Sequence, residues 1–321
     1  MSADKETITF SIVVPVYNEV EILPELYRRV SSVMDDLGEP WELVIVDDGS
    51  SDGSTEGIRA LVEKDKRVRP VIFARNFGHQ IAITAGLDYA RGQATVIMDA
   101  DLQDPPEVIP ELVDRWREGY EVVHGVRTYR EGESPFKRFT AALFYRLINR
   151  ITDIDIPLNV GDFRLLDRKA IDTINSMRER HRFPRGMAAW IGFRQVGVSY
   201  QRAARTVGKT KYPFSKMLRL ALNAVTGFSY FPLQIATYFG FVCAGLSVLA
   251  IPLVILLRLM GNQAFFGQAT TLIAVLFLGG VQLISLGILG EYVGRIYDEV
   301  KGRPLYIVRE APDSDDIRLE K

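Results

Sequence analysis

Residues 10–16, FSIVVPV, form an unbroken β-branched run, the pattern of a strand covered on both faces. Residues 21–37 then switch to helical spacing, with Leu23, Leu26, Val30 and Val33 on one side. The same alternation continues, with strands expected at 42–46, 68–73, 94–98 and 121–125 and helices at 55–64, 81–91 and 106–118. Strands alternating with helices imply a mostly parallel sheet with helices on both faces, an α/β fold of Rossmann-like type. After Gly125 the pattern becomes irregular and basic, with one amphipathic helix expected at 136–151.

The last third of the chain has a different character. From Pro213 to Tyr230, apolar residues recur at helical spacing (Phe214, Met217, Leu218, Ala221, Leu222, Val225), with Lys216 and Arg219 on the other side. This suits a helix lying in a membrane interface; the plainer reading is an amphipathic helix on a soluble core. Two apolar runs follow, 233–260 and 269–292, each longer than the ~20 residues that cross a bilayer. The connector, 261–268, is short and uncharged, so a hairpin with both ends on one side is expected. Basic residues flank the hairpin on its outer ends and are missing from the connector. That asymmetry places the large domain and the C-terminus on the cytoplasmic side of a plasma (inner) membrane. Gly287, Gly290 and Gly294 give the second run a small-residue face suited to helix packing, and a homo-oligomer is expected from it.

Charge changes this picture in two ways. The chain has 39 basic and 40 acidic side chains, a net charge of −1, without the basic excess of a nucleic-acid binder. From Pro232 to Gly290 a single charge, Arg258, occurs, which argues against a wholly soluble protein. The polar remainder argues equally against a polytopic transporter. The polar N-terminus has no basic region leading into an apolar one, so no signal peptide is expected. One cysteine, Cys243, excludes an intrachain disulfide and a Cys-based zinc site.

Candidate chemistry gathers where strands end. DADLQD (99–104) follows the strand at 94–98, and in an open parallel sheet ligands bind beyond the carboxyl ends of strands. Hard oxygen donors there suit Mg²⁺ or Mn²⁺, with a nucleotide diphosphate completing the shell. The alternative is an acidic turn in which Asp104 caps the next helix. DDGSSDGS (47–54) and PVYNE (15–19) sit likewise after strands; each also reads as an ordinary strand-to-helix turn. His79, His124 and His181 read as structural.

PVYNE, DDGSSDGS, RNFGHQIAITAGLDYARG (75–92) and DADLQD, in that order and spacing, resemble family 2 glycosyltransferases, the inverting GT-A fold. GDFRLLDR (161–168), GKTKY (208–212) and the two apolar runs are closer to the polyprenyl-phosphate branch, which includes bactoprenol glucosyltransferases and dolichol-phosphate mannose synthases. The Q-x-x-R-W segment of processive synthases is missing.

The resemblance implies a GT-A domain at 1–212, a juxtamembrane helix at 213–232, two transmembrane helices at 233–294 and a cytoplasmic tail at 295–321. It implies that Pro15, Tyr17 and Glu19 edge a nucleotide pocket, and that Asp47 and Asp48 contact base and ribose. Asp99 would hold ribose or sugar, and Asp101 and Gln103 the metal. Arg127 and Arg138 would grip an acceptor phosphate, and Arg205, Lys209 and Lys211 would close over the diphosphate. Lys137 and Lys216 read as solvated or lipid-facing. Asp162 is either a base or acceptor-orienting carboxylate, or a structural partner for Arg164. The implied reaction moves a hexose, glucose from UDP-glucose, to polyprenyl (undecaprenyl) phosphate with inversion. The rivals are another donor, such as GDP-mannose or a UDP-linked modified sugar, and an inactive scaffold or lipid-flipping component.

Overall fold

A computed structural model describes residues 8–128, 160–201, 231–260 and 268–312. The first half matches the alternation expected from hydrophobic periodicity. It runs β1 (Phe10–Val16), α1 (Leu23–Leu37), β2 (Trp41–Asp47), α2 (Ser54–Lys64), β3 (Val68–Phe73), α3 (His79–Tyr89) and β4 (Ala94–Ile97). A 3₁₀ turn at Pro106–Val108 leads into α4 (Ile109–Arg117) and then β5 (Val122–Arg127). Helix α1 buries Leu23, Leu26, Val30 and Met34, so the buried stripe closes on Met34, with Val33 packed at its margin. Each such side chain contributes about 1.5–3 kcal/mol on burial. The helix stops at Gly38, whose φ of 71° is left-handed.

The second half contains elements that the periodicity does not reveal. These are β6 (Val160–Asp167), α5 (Arg168–Ser176), α6 (Pro184–Trp190) and β7 (Gln195–Tyr200). Strand β6 is buried along nearly its whole length, yet it carries Asp162 and Arg164 in that interior, so no apolar run announces it. The helix expected at 136–151 and the juxtamembrane helix at 213–230 lie outside the described residues.

With the last strand, β8 (Val308–Glu310), the sheet has eight strands in the order β7-β5-β6-β4-β1-β2-β3-β8. Strands β4, β1, β2 and β3 are mutually parallel. Strand β6 runs antiparallel to both β4 and β5, and β7 runs parallel to β5. The carboxyl ends of β1 to β5 and β7 therefore share one edge, together with the start of β6.

The opposite edge is tied by a buried carboxylate. Glu42, 1% exposed, accepts from Ser11 Oγ at 2.6 Å, Arg69 Nη1 at 3.1 Å, and Arg91 N and Nε at 2.7 and 2.9 Å. One carboxylate thereby joins β1, β2, β3 and the turn after α3.

Two long apolar helices follow, α7 (Phe231–Leu259) and α8 (Gln268–Val300), and they touch one another. Among the described residues, one stretch, Phe277–Val300, is long and apolar enough to cross a membrane, and Pro232–Cys243 is a shorter apolar run. Large apolar side chains on both helices are bare, including Phe241, Leu246 and Leu283. Helix α8 continues past the expected end at Tyr292, and the chain beyond it returns to the sheet. Strand β8 pairs antiparallel with β3, Tyr306 stacks on Phe73 with centroids 5.2 Å apart, and Tyr306 Oη donates to Asp88 at 2.8 Å. Strand β3, otherwise an open edge, is thus covered.

Glu42→Ala is expected to destabilise the full chain by about 3–5 kcal/mol, because it strands buried Arg69 without its carboxylate. Glu42→Gln, which keeps an acceptor oxygen, should lose less. Urea unfolding of the detergent-solubilised protein measures both; equal stability of Glu42→Ala and wild type would contradict the bracing role.

Candidate active site

The motif loops leave three adjacent parallel strands, β4, β1 and β2, with Val16 opposite Asp47 and Val13 opposite Ile97. The first two loops are laced together by side chain–backbone bonds. Asn18 N donates to Ser50 Oγ at 2.9 Å, and Ser51 N donates to Asn18 Oδ1 at 2.8 Å. Glu19 N reaches Ser54 Oγ at 3.0 Å, and Val20 N reaches Asp52 Oδ2 at 3.1 Å. Asn18 has a φ of 55°, a left-handed conformation that asparagine tolerates better than most residues. Tyr17, half-exposed, stands out from this braced loop, while Pro15 is buried in β1.

Asp47 and Asp48 are buried beneath the loops. Asp47 accepts from Ser50 N at 2.9 Å and from Thr55 Oγ1. Asp48 accepts from Phe77 N at 2.6 Å and Gly78 N at 2.9 Å. Burial raises the Asp48 pKa, opposed by these two amides. Both carboxylates, expected to contact base and ribose, are engaged here with the loop backbone and Thr55. Gly49 shows how close the wall lies: it has a φ of 72°, and a Cβ there would stand 2.5 Å from the Arg75 carbonyl carbon.

DADLQD turns sharply after β4. Leu102 adopts a left-handed φ of 53° while its side chain is buried in the main core. That strain is held by leucine burial, and it sets Asp101 and Gln103 on either side of the turn. Gln103 N donates to Asp101 Oδ1 at 3.1 Å. Asp104 does not cap the following helix. It accepts from Tyr200 Oη and from Arg127 Nη2 at 3.1 Å, and Arg127 Nε donates to Tyr200 Oη at 3.2 Å. Arg127, expected at an acceptor phosphate, therefore ties the end of β5 to the DADLQD turn, with 26% of its side chain exposed.

Asp99 and Asp162 meet across β4 and β6. The paired stretch ends with Ile97 opposite Arg164, and Asp99 and Asp162 lie two residues beyond it on the two strands. His79, the first residue of α3, lies between them, its Nε2 3.4 Å from Asp99 Oδ1 and 3.4 Å from Asp162 Oδ2. Arg185 Nε and Nη2 donate to Asp162 at 2.9 and 3.2 Å, and Gln80 Nε2 adds a bond at 3.2 Å. Arg164 stands farther off, at 3.8 Å, and is used to reach the Gly161 carbonyl at 2.8 Å.

These surroundings separate the two acids. Burial pushes the Asp99 carboxyl up to about 6, aided by Asp162, Asp104 and Asp101 and opposed by His79. Burial also acts on Asp162, but Arg185, His79 and Arg164 hold it well below the usual carboxylate range. For His79, burial is outweighed by the two carboxylates, and its pKa is raised. A carboxylate this stabilised is a weak proton acceptor.

From the sequence His79 is expected to be structural, and Gln80 and Arg185 are not among the expected site residues. The FGHQ tetrapeptide, already part of a recognised motif, carried a signal for the first two. Nothing local in HRFPRG marks Arg185. Arg138, Arg205, Lys209 and Lys211 lie outside the described residues; the described chain stops at Thr128 and Gln201, both at the carboxyl edge of the sheet.

As to a metal, no group of three or more His, Cys, Asp or Glu among the described residues is gathered to hold one unaided. Asp101 and Gln103 offer hard oxygen donors, and Asp99 Oδ1 is buried without a hydrogen-bond partner. A partial site of this kind fits a hard cation whose shell is completed by diphosphate oxygens.

The pattern described as glycosyl transferase family 2 matches residues 11–174, the segment from β1 to α5 that builds this site. The chain belongs to that family. The glycosyltransferase is 50% identical over 312 residues to the uncharacterized glycosyltransferase YkcC of Bacillus subtilis, covering 97% of each chain. It is 43% identical over 301 residues to the SfII prophage-derived bactoprenol glucosyl transferase of Shigella flexneri, covering 94% of this chain and 97% of the other. Among solved structures, the mannosyltransferase PcManGT from Pyrobaculum calidifontis, in complex with GDP-Man and Mn²⁺, aligns at a TM-score of 0.44 and 17% identity, over 91% of this chain and 89% of that one.

Asp48→Ala should release the Phe77–Gly78 backbone and with it the start of α3. The expected loss of stability is about 1–3 kcal/mol, the cost of leaving two part-buried amides without their carboxylate. Asp48→Asn should fall between the two. Unchanged thermal unfolding in Asp48→Ala would show that the carboxylate does not hold this wall.

Proposed function

We propose that this glycosyltransferase moves glucose from UDP-glucose to a polyprenyl phosphate, undecaprenyl phosphate, with inversion at the anomeric carbon. The observation that carries the reading is the 43% identity, over 94% of the chain, to a bactoprenol glucosyl transferase. The strand-end carboxylates are consistent with it, as are the bare apolar faces of α7 and α8.

A phosphate oxygen of the lipid attacks C1 of the sugar as the bond from C1 to the UDP oxygen breaks. The electron pair leaves with the diphosphate, and the new bond forms on the opposite face. The second ionisation of a phosphate monoester lies near pH 6, so the nucleophile is already charged at neutral pH. A strong general base is not required, which agrees with the depressed pKa of Asp162. Asp162 serves instead to orient the acceptor side, braced by Arg185.

On the donor side, Tyr17 offers a face to the base, Glu19 lines the pocket edge, and Asp99 holds the ribose or sugar. Asp101 and Gln103 hold Mg²⁺ or Mn²⁺, which when bound offsets charge on the departing diphosphate. Arg205, Lys209 and Lys211 close over that diphosphate, and Arg127 with Arg138 receives the lipid phosphate. The domain division follows the sequence reading. The catalytic part spans 1–212, the juxtamembrane helix 213–232 and a two-helix membrane hairpin 233–294. Residues 295–321 lie on the cytoplasmic side, and the chain works as a homo-oligomer.

Purified full-length protein, incubated with undecaprenyl phosphate and separate sugar nucleotides, should give a glucosyl lipid from UDP-glucose. A product from GDP-mannose or a UDP-linked amino sugar alone would reassign the donor. Release of nucleotide with no lipid product from any donor would refute the reading. Asp101→Ala, or added chelator, should lower transfer about a hundredfold or more; full activity under either condition would remove the metal from the account.

A further inference from the structure

We propose that His79 is a positioning residue that bridges Asp99 and Asp162, and so sets the gap between donor and acceptor. The proposal rests on the site reading above, in which Asp99 faces the donor and Asp162 the acceptor. Four observations support it. The same nitrogen, Nε2, stands 3.4 Å from an oxygen of each carboxylate. Asp99 Oδ1 is buried and makes no hydrogen bond, so the imidazole is the polar group set against an otherwise unsatisfied oxygen. Asp162 already receives Arg185 and Gln80, yet its Oδ2 also faces His79. Finally, His79 is held from behind, since Asp48 fixes the amides of Phe77 and Gly78 immediately before it.

The bridge answers a physical problem that the fold creates. The end of β4 and the start of β6 bring two carboxylates to one imidazole, and Arg185 bonds Asp162. Without a group between them, Asp99 would be pushed away from Asp162 and its sugar-facing oxygen would move. His79 keeps 43% of its side chain exposed, so it is not core filling, and its removal need not open a cavity. In-line displacement is sensitive to such a shift, because a misplacement of about 1 Å can cost on the order of a hundredfold in rate.

The test uses the full chain in detergent with UDP-glucose and undecaprenyl phosphate. His79→Ala should lower kcat by about ten- to a hundredfold while the donor KM stays within about threefold, the signature of lost alignment rather than lost binding. A larger share of the donor should then be hydrolysed by water instead of transferred to lipid. His79→Gln carries two N–H groups on one nitrogen and can still reach both carboxylates. It should therefore recover most of the rate and the coupling to lipid. Thermal unfolding of both variants should match wild type.

Wild-type kinetics in His79→Ala would overturn the proposal. Equal losses in the Ala and Gln variants would overturn the bridge as the basis of the effect, as would a shared drop in thermal stability. A wild-type protein that makes no lipid product fails the functional reading itself and is recognised before any variant is compared.

Discussion

The structure depends on one arrangement: side chains of neighbouring strand-end loops bond each other's backbone. Asn18 N donates to Ser50 and Asn18 Oδ1 accepts from Ser51 across the first two loops, and Asp52 and Ser54 secure the amides of Val20 and Glu19. Asp48 carries the chain of restraints onward to Phe77 and Gly78. A parallel sheet puts these loops on one edge, but it does not hold them there. Amides beyond the strand ends have no ladder partner, and those shielded from water are costly to leave unmet. Short polar side chains meet that need while fixing the loops against each other. The acids of DDGSSDGS thus hold the loops against one another and against the start of α3.

The two edges of the sheet use buried charge for different ends. At the amino edge, Glu42 is fully engaged by Ser11, Arg69 and Arg91, and its role is to brace. At the carboxyl edge the compensation is uneven. Asp162 is surrounded by Arg185, Gln80, His79 and Arg164, whereas Asp99 has a raised pKa and an unbonded oxygen. The His79 imidazole, 3.4 Å away, stands against that oxygen without closing a hydrogen bond. Asp104 is the third case: it lies fully buried, and Arg127 and Tyr200 bind it so that the DADLQD turn is anchored at both ends.

The parallel core was legible because its strands are continuous apolar runs and its helices carry clear stripes. The strand-end motifs were legible for the same reason, since each follows a recognisable strand. Strand β6 was not, because Asp162 and Arg164 interrupt an otherwise apolar segment, and Asp162 is satisfied by Arg185 and Gln80, which are remote in sequence. Arg185 is visible only once β6 and α6 are packed together. The neighbours of His79 were not legible, because an isolated histidine says nothing of the two carboxylates that tertiary structure brings to it. Strand β8 escaped notice for a related reason: three residues carry little periodicity, and what places them is the pairing with β3 and the stack of Tyr306 on Phe73. That return also joins the end of α8 to the catalytic sheet, with Arg180 N bonded to Glu299 Oε1 at 2.7 Å.

The central claim is a single in-line displacement in which lipid phosphate replaces the nucleotide on the sugar. The anomeric configuration of the lipid product tests it most directly. With α-linked UDP-glucose as donor, the proton coupling at C1 of the purified glucosyl polyprenyl phosphate should be the large one of a β-linkage. An α-linked product would require a second displacement or a front-face route, and would contradict the account.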